Sequence, residues 1–98
     1  MALYTFVMEY LGGTYMAQVR ARSVAQACVK WARSLEVAEI HGLGPRGHEE
    51  LVAQMTERID DLVPLDGLEN AWCHGALLRG RSALINIIQT DGCTRGAP

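Results

Sequence analysis

The sequence feature that most limits how this chain can fold lies near its C-terminus. There, residues 81–90 carry apolar side chains at both odd and even positions. Successive side chains of a β-strand point to opposite faces of the sheet, so we expect this segment to be a central strand that is buried on both faces. The apolar segment 71–78 precedes it, and Arg79-Gly80 between the two predicts a hairpin. The simplest register pairs Trp72 with Ile87, His74 with Ile85 and Ala76 with Ala83.

A second hairpin is predicted at the N-terminus, where residues 3–11 and 14–21 flank Gly12-Gly13. Two glycines accept positive φ at both central positions of the type I′ turn that hairpins favour. This turn places one apolar row on a single face, which consists of Tyr4, Phe6, Met8, Tyr10, Tyr15, Ala17, Val19 and Ala21. The other face is mixed and carries Thr5, Val7, Glu9, Met16, Gln18 and Arg20.

The first of two predicted helices follows this hairpin directly. Ser23 and Gln26 have the spacing of a capping box, in which each side chain bonds to a free backbone N–H group of the first turn. Apolar residues then recur at helical spacing to about residue 35. Residues 35–40 are compatible with an extension of this helix, a separate short turn or a brief strand.

The second predicted helix covers residues 48–61, after a segment rich in glycine. Its apolar residues recur every three or four positions. Glu49 and Glu50 are expected in its first turn, where the helix dipole favours negative charge. Residues 63–70 contain a proline and an Asp-Gly pair, and they are predicted to form a linker.

Together these elements predict an α+β fold with the element order ββααββ. It is a two-layer sandwich, in which a four-stranded antiparallel sheet carries two helices on one face. The second hairpin is apolar on both faces, so the sequence leaves open which of them meets the helices. The 98 residues suffice for a single domain, which we place at residues 1–90. Residues 91–98 have no hydrophobic periodicity and are predicted to be a disordered tail.

Helices on one side leave the opposite face of the sheet without a covering layer. Such a face normally carries polar side chains, but here we place Val7, Leu11 and Met16 of the first hairpin on it. Leu84 and Ile88 of the second hairpin are expected beside them. A contiguous apolar patch of this kind marks an interaction site. We therefore expect a homodimer, or a different protein partner, with these five residues in the interface.

The net charge of −2 is distributed unevenly along the chain. Residues 34–69 hold nine acidic side chains against two arginines, whereas residues 1–33 hold four basic side chains against Glu9. The middle of the chain therefore repels phosphate and its two ends attract it weakly. This pattern shows no general preference for nucleic acid, and we expect no membrane association.

A glycine-rich turn within residues 40–52 has a recognisable pattern, carried by Ile40, Gly42, Leu43, Gly44, Arg46 and Leu51. This segment resembles the helix-hairpin-helix element of DNA repair and recombination proteins. The resemblance implies that Gly42, Gly44 and Arg46 contact a phosphate, because the turn exposes backbone N–H groups at the start of the second helix. His48 stands where that family usually has a small residue, which puts close packing of the two helices in doubt.

The N-terminal hairpin and the helix start at residues 23–27 are also similar to the hairpin-helix unit of HicB-like antitoxins. That family has a further strand and a Pro-Gly-Cys-like turn before the helix, and this chain has neither. The resemblance therefore implies a local arrangement only, and no functional residue is transferred from it.

Four arginines at the ends of predicted strands offer another route to an anionic partner. Arg20 and Arg22 close the first hairpin, while Arg79 and Arg81 flank the turn of the second. If the hairpins lie side by side, these side chains can form a positive patch. A sheet that binds nucleic acid also needs exposed aromatic residues, whereas those of the first hairpin face the helices. Nucleic-acid binding, through this patch or the glycine turn, is therefore the alternative to protein interaction.

The sequence shows no arrangement that is typical of a catalytic or metal-binding site. Cys73 and His74 are neighbours on a predicted strand, so their side chains point to opposite faces. His41 and His48 lie seven residues apart across a turn, which is not the spacing of a zinc site. We therefore expect a protein without catalytic activity, metal or cofactor.

The chain has three cysteines, Cys28, Cys73 and Cys93, and no pair has C-x-x-C spacing. An odd number without a secretory signal indicates reduced thiols. No basic segment followed by an apolar one marks the N-terminus, and no apolar run approaches the ~18 residues that cross a bilayer. These features predict a cytoplasmic protein.

Overall fold

The computed structural model describes residues 1–57 and 62–91. Its strands are β1 (Ala2–Tyr10), β2 (Gly13–Ala21), β3 (Val63–Pro64), β4 (Ala71–Leu78) and β5 (Arg81–Asp91). Its helices are α1 (Val24–Ser34) and α2 (Gly44–Glu57), with a 3₁₀ helix at Val37–Glu39 between them. The strands form one antiparallel sheet in the order β2-β1-β5-β4-β3. The disordered tail was predicted at residues 91–98, but residue 91 is the last residue of β5. Residues 92–98 of that prediction lie outside the described residues.

The α+β class is confirmed, but the sheet has five strands instead of the predicted four. The additional strand β3 lies in the segment that was predicted to be a linker, where Val63 pairs with Cys73 and Pro64 with Trp72. The Leu65 N–H group then donates to the Ala71 carbonyl at 3.0 Å. The strand β3 forms because β4 would otherwise present unpaired backbone groups at this edge. Its two residues are too few for a recognisable pattern of alternation.

The turn of the first hairpin lies at Leu11-Gly12, not at the predicted Gly12-Gly13. Leu11 has φ +50° and Gly12 has φ +80°, as a type I′ turn requires. Gly13 belongs to β2, where a Cβ atom would collide with the Tyr15 side chain. The pairs are Tyr10 with Gly13, Met8 with Tyr15, Phe6 with Ala17 and Tyr4 with Val19. The predicted pairing was therefore wrong by two residues.

The predicted division of side chains between the two faces is correct despite that error. A shift of two residues leaves odd and even positions on the same faces of the sheet. The second hairpin has the predicted register, and β5 lies between β1 and β4. The inner face, which meets the helices, buries Tyr4, Phe6, Met8, Tyr10, His74, Ala76, Leu78, Ala83, Ile85 and Ile87.

Helix α1 begins close to the predicted capping box and packs on the inner face. The Gln26 N–H group donates to Ser23 Oγ at 3.1 Å, and Gln26 Oε1 accepts from the Arg22 N–H group at 2.8 Å. The Trp31 ring stacks on Phe6 with the ring centres 4.7 Å apart. The buried side of the helix consists of Ala27, Cys28, Trp31 and Ala32, as the spacing predicted.

Helix α2 begins at Gly44, four residues before the predicted start. Pro45 is tolerated there because the first turn of a helix has no internal partner for its backbone N–H groups. Glu49 and Glu50 therefore lie in the second turn, and the prediction that they stabilise the first turn was wrong. The segment 35–40, which the sequence left open, contains the 3₁₀ helix.

Candidate interaction surface

We call the face of the sheet away from the helices the outer face. The described strand residues of this face are Leu3, Thr5, Val7, Glu9, Thr14, Met16, Gln18, Arg20, Val63, Ala71, Cys73, Gly75, Leu77, Ser82, Leu84, Asn86, Ile88 and Thr90. One row of neighbours crosses all five strands: Met16, Val7, Asn86, Cys73 and Val63. The described structure places no helix over this face.

The outer face exposes large apolar side chains. Met16 is 69% exposed, Leu77 63%, Val63 59% and Leu84 42%. Among the strand side chains that the structure describes on this face, the charged ones are Glu9 and Arg20. A surface with this composition is favourable to bury against another apolar surface.

The outer face is more polar at the end away from the hairpin turns. There, Gln18 Nε2 donates to Thr5 Oγ1 at 3.1 Å, and Thr5 Oγ1 shares a hydrogen bond of 2.9 Å with Thr90 Oγ1. This polar ladder lies next to Ile88, which pairs with Thr5. The exposed Leu77 and Leu84 lie nearer to the hairpin turns, where Glu9, Thr14 and Ser82 are also on this face.

The structure places four of the five predicted interface residues on the outer face. Val7 and Ile88 are half-buried there, and Met16 and Leu84 are exposed. Leu11 lies in the turn beside this face, where it is 40% exposed and contacts Gly42. The predicted interface set did not include Leu77 and Val63. The alternation of β4 places Leu77 on the same face as Leu84, whereas no sequence pattern indicated β3 and Val63.

A groove of about 840 Å³ lies at the end of the sheet that carries both hairpin turns. Its walls include Glu9, Leu77, Leu84 and the turn at Leu11, and Gln54 of α2 closes one side. Gly75 leaves open space in the groove, because a Cβ atom there would meet nothing within 4 Å. The groove can therefore accept an apolar side chain of a partner.

The glycine turn that resembles a helix-hairpin-helix has a structural explanation within this fold. Gly42 has φ +80° and Gly44 has φ +64°, and the Leu11 side chain lies against Gly42. The Arg79 guanidinium is 3.4 Å from the place of a Cβ atom at Gly44. The Leu43 side chain between the glycines is fully buried. Both glycines thus serve the backbone conformation of the turn, and Gly42 also allows the close approach of Leu11.

The structure separates the four predicted arginines into two pairs. Arg79 and Arg81 flank the turn of the second hairpin, at the same end of the sheet as Arg46 of α2. Arg20 pairs with Leu3 at the other end of β1, seven residues along β2 from Gly13. At ~3.4 Å per residue, Arg20 lies about 24 Å from the end of the sheet that carries both hairpin turns, and Arg22 lies farther still. The four arginines therefore do not form a single patch.

The cysteine and histidine side chains are not brought together for catalysis. His74 is buried on the inner face, while Cys73 is half-buried on the outer face opposite Asn86. Burial raises the pKa of the Cys28 thiol to about 12, so this thiol stays protonated near neutral pH. Burial, and to a smaller extent the nearby Cys28, also raises the pKa of Tyr4. Among the described residues, no group of three or more His, Cys, Asp or Glu side chains could hold a metal ion.

No protein family model, curated protein or solved structure matches the chain. Within residues 1–57 and 62–91, no helix has both the length and the apolar composition that crossing a membrane requires.

Proposed function

We propose that the protein is a non-catalytic interaction module, in which two copies form a homodimer by packing their outer faces together. The observation that carries this proposal is the exposure of Met16, Leu77 and Leu84 on one nearly uncharged face. Free thiols at Cys28 and Cys73 fit a reducing compartment, and we propose a cytoplasmic location on that ground.

The size of the outer face is sufficient for such an interface. A strand of about nine residues is ~30 Å long, and four full strands at a spacing of ~4.8 Å are ~19 Å wide. One copy therefore contributes roughly 570 Å², and two copies together roughly 1,100 Å². A stable interface needs about 1,000 Å² or more in total. Face-to-face packing of two sheets meets this requirement with little to spare.

Light scattering at micromolar concentration tests the proposal. The expected mass is at least twice the 10.7 kDa of one chain. Leu84→Lys should weaken the association at least tenfold, because it buries a charge in the interface, while the folded monomer tolerates lysine at this exposed position. The matched control is Leu68→Lys, since Leu68 is an exposed leucine in the turn between β3 and β4. A wild-type protein with the mass of a single chain would refute the proposal.

A second candidate function is nucleic-acid binding at the glycine turn. One observation favours it: Arg79 lies over the first turn of α2 beside Gly44, and Arg46 belongs to the same turn. Two cations next to backbone N–H groups suit a phosphate. Titration with random duplex DNA at several salt concentrations tests this candidate. Arg46→Glu should abolish salt-dependent binding, whereas Arg33→Glu in the last turn of α1 should not, and the absence of wild-type binding at low salt would exclude it.

A further inference from the structure

One edge of the sheet is formed by β2, over its full length of nine residues. We propose that this edge pairs antiparallel with β2 of a second copy, around a two-fold axis at Ala17. Ala17 is the midpoint of Gly13–Ala21, so this register uses the whole strand in both copies. Thr14 then lies opposite the second copy's Arg20, and Met16 opposite its Gln18. This surface is distinct from the outer face and goes beyond the function proposed above.

The hairpin register shows which backbone groups of β2 point outward. Residues that flank a two-residue turn form a hydrogen-bonded pair, and here these are Tyr10 and Gly13. Odd-numbered residues of β2 therefore bond to β1, and even-numbered residues point their N–H and C=O groups away from it. The Arg20 carbonyl agrees with this, because it accepts from Lys30 Nζ of α1 at 2.6 Å. The outward-facing residues are Thr14, Met16, Gln18 and Arg20, and we call their backbone the β2 edge.

The two edges of the sheet differ in how far other parts of the chain cover their backbone groups. At the opposite edge, the two residues of β3 cover part of β4, and Gln54 Nε2 donates to the Leu77 carbonyl at 2.9 Å. The strand β2 has no proline and no bulge against β1, and Arg20 is its one charged residue. Natural proteins usually protect an edge strand with a proline, a bulge, charged side chains or a covering segment, which prevents pairing with other chains. Lys30 covers the Arg20 carbonyl at one end of β2, but β2 has no proline, no bulge and, among the described residues, no short strand paired to its outer side. A long and regular edge of this kind is suited to strand addition.

Charged groups beside the β2 edge indicate which strand is added. A groove of about 340 Å³ runs between residues 14–17 of β2 and the segment 34–40, and Glu36 and Glu39 line it. The other end of β2 is basic, since Arg22 follows the strand and Lys30 reaches the Arg20 carbonyl. The edge therefore has an acidic end and a basic end.

A two-fold axis at Ala17 places the acidic end of each copy beside the basic end of the other. Glu36 and Glu39 then face the second copy's Arg22 and Lys30, and the same contact occurs twice. Complementary charges fix the register and direction of such an interface. The β2 edge is thus complementary to itself in the antiparallel direction, and the occupant it fits is a second copy of this chain. Four strand pairs of two hydrogen bonds each give about eight backbone hydrogen bonds across the axis, two of which require the Arg20 carbonyl to accept from Thr14 of the second copy as well as from Lys30.

Edge pairing leaves the outer face uncovered, so both interfaces can form together. Two copies joined at the β2 edge make one ten-stranded sheet, and two such sheets can pack by their outer faces. The expected assembly is a tetramer with a mass four times 10.7 kDa. Sedimentation velocity separates this tetramer from a dimer that uses only one of the two interfaces.

The first test blocks the edge at Gln18. Gln18→Pro removes an outward N–H group, and a proline is tolerated on an edge strand when that group points to solvent. Gln18→Ala is the matched control, because it loses the side-chain bond to Thr5 but keeps the N–H group. The proline variant should reduce the tetramer to a dimer, and the alanine variant should not. An unchanged mass for Gln18→Pro refutes edge pairing, whereas an unchanged mass for Leu84→Lys refutes outer-face packing alone.

The second test exchanges charges and does not depend on proline. The pair Glu36→Lys with Glu39→Lys makes both ends of the edge basic, and Arg22→Glu with Lys30→Glu makes both ends acidic. Each double variant should lose edge pairing on its own, by at least tenfold in dissociation constant. An equimolar mixture should restore it, since every contact then joins opposite charges. A mixture that associates no better than its separate components overturns the inference.

Discussion

Replacing Gly42 by alanine tests whether the glycine turn is required by the fold. An alanine at φ +80° adopts the left-handed region at a cost of about 1–2 kcal/mol. Its Cβ atom would also collide with the Leu11 side chain. Leu11 is 40% exposed and can move, so we assign about 1 kcal/mol to its displacement, the low end of overpacking costs. The expected loss of unfolding free energy is about 2–3 kcal/mol in total.

Urea denaturation followed by circular dichroism measures this loss. In thermal unfolding the same loss lowers Tm by about 8–24 °C, given ~4–8 °C per kcal/mol for a domain of this size. Gly75→Ala is the control, since Gly75 is a strand glycine whose Cβ atom would meet nothing within 4 Å. Its effect should stay within about 0.5 kcal/mol.

A double-mutant cycle with Leu11→Ala separates the two contributions. In the Leu11→Ala background, Gly42→Ala should cost only the backbone term of about 1–2 kcal/mol. Equal costs in both backgrounds would show that Leu11 does not contact the turn. A cost below about 0.5 kcal/mol in the wild type would refute the backbone argument.

Two further predictions concern the first helix. Ser23→Ala should lower the unfolding free energy by about 1 kcal/mol in urea denaturation, because the Gln26 N–H group loses its partner, while Ser23→Asp should retain the stability. The raised pKa of Cys28 means that the folded state holds the thiol proton more tightly than the unfolded state. The resulting stability is fully present below pH 9 and is lost as the pH rises from 9.0 towards 12, by up to about 1.4 kcal/mol per pH unit. Urea denaturation at pH 8, 9 and 10 should show this decline, and Cys28→Ala should reduce it; identical slopes for both proteins would contradict the assigned cause.

The error in the first hairpin shows what a local pattern cannot specify. Gly12-Gly13 is the better turn by local preference, because glycine reaches positive φ without cost. The chain instead places Leu11 at positive φ, where its side chain contacts Gly42 thirty-one residues further along. That contact exists only in the folded protein. The division of side chains between faces was predictable because it depends only on odd and even positions.

The start of α2 and the presence of β3 were missed for related reasons. Gly42, Gly44 and Pro45 form a typical helix-breaking segment, yet proline fits the first turn and Leu43 anchors the turn in the core. The strand β3 consists of two residues, one of them a proline, and it forms only because β4 offers an edge. Both features depend on tertiary contacts, which local sequence does not contain.

The outer face was predictable from alternation, whereas the β2 edge was not. Two predicted hairpins can be joined in several strand orders, and alternation does not determine which strand lies at an edge. Once the order places β2 there, its even-numbered residues present both outer-face side chains and outward backbone groups. Met16 therefore belongs to both proposed interfaces.

An exposed apolar face and a long regular edge strand each carry a risk of aggregation for a monomer, because either can pair indefinitely with other chains. Two-fold symmetry removes this hazard, since an interface that is complementary to itself is fully used once two copies meet. Glu9 and Arg20 are the charged strand side chains described on the outer face, and two charges give little control over orientation. The β2 edge has an acidic and a basic end, and these ends impose a single direction. We infer that edge pairing fixes the geometry of the assembly and that outer-face packing supplies most of its stability, so charge variants at the edge should respond more strongly to salt than Leu84→Lys.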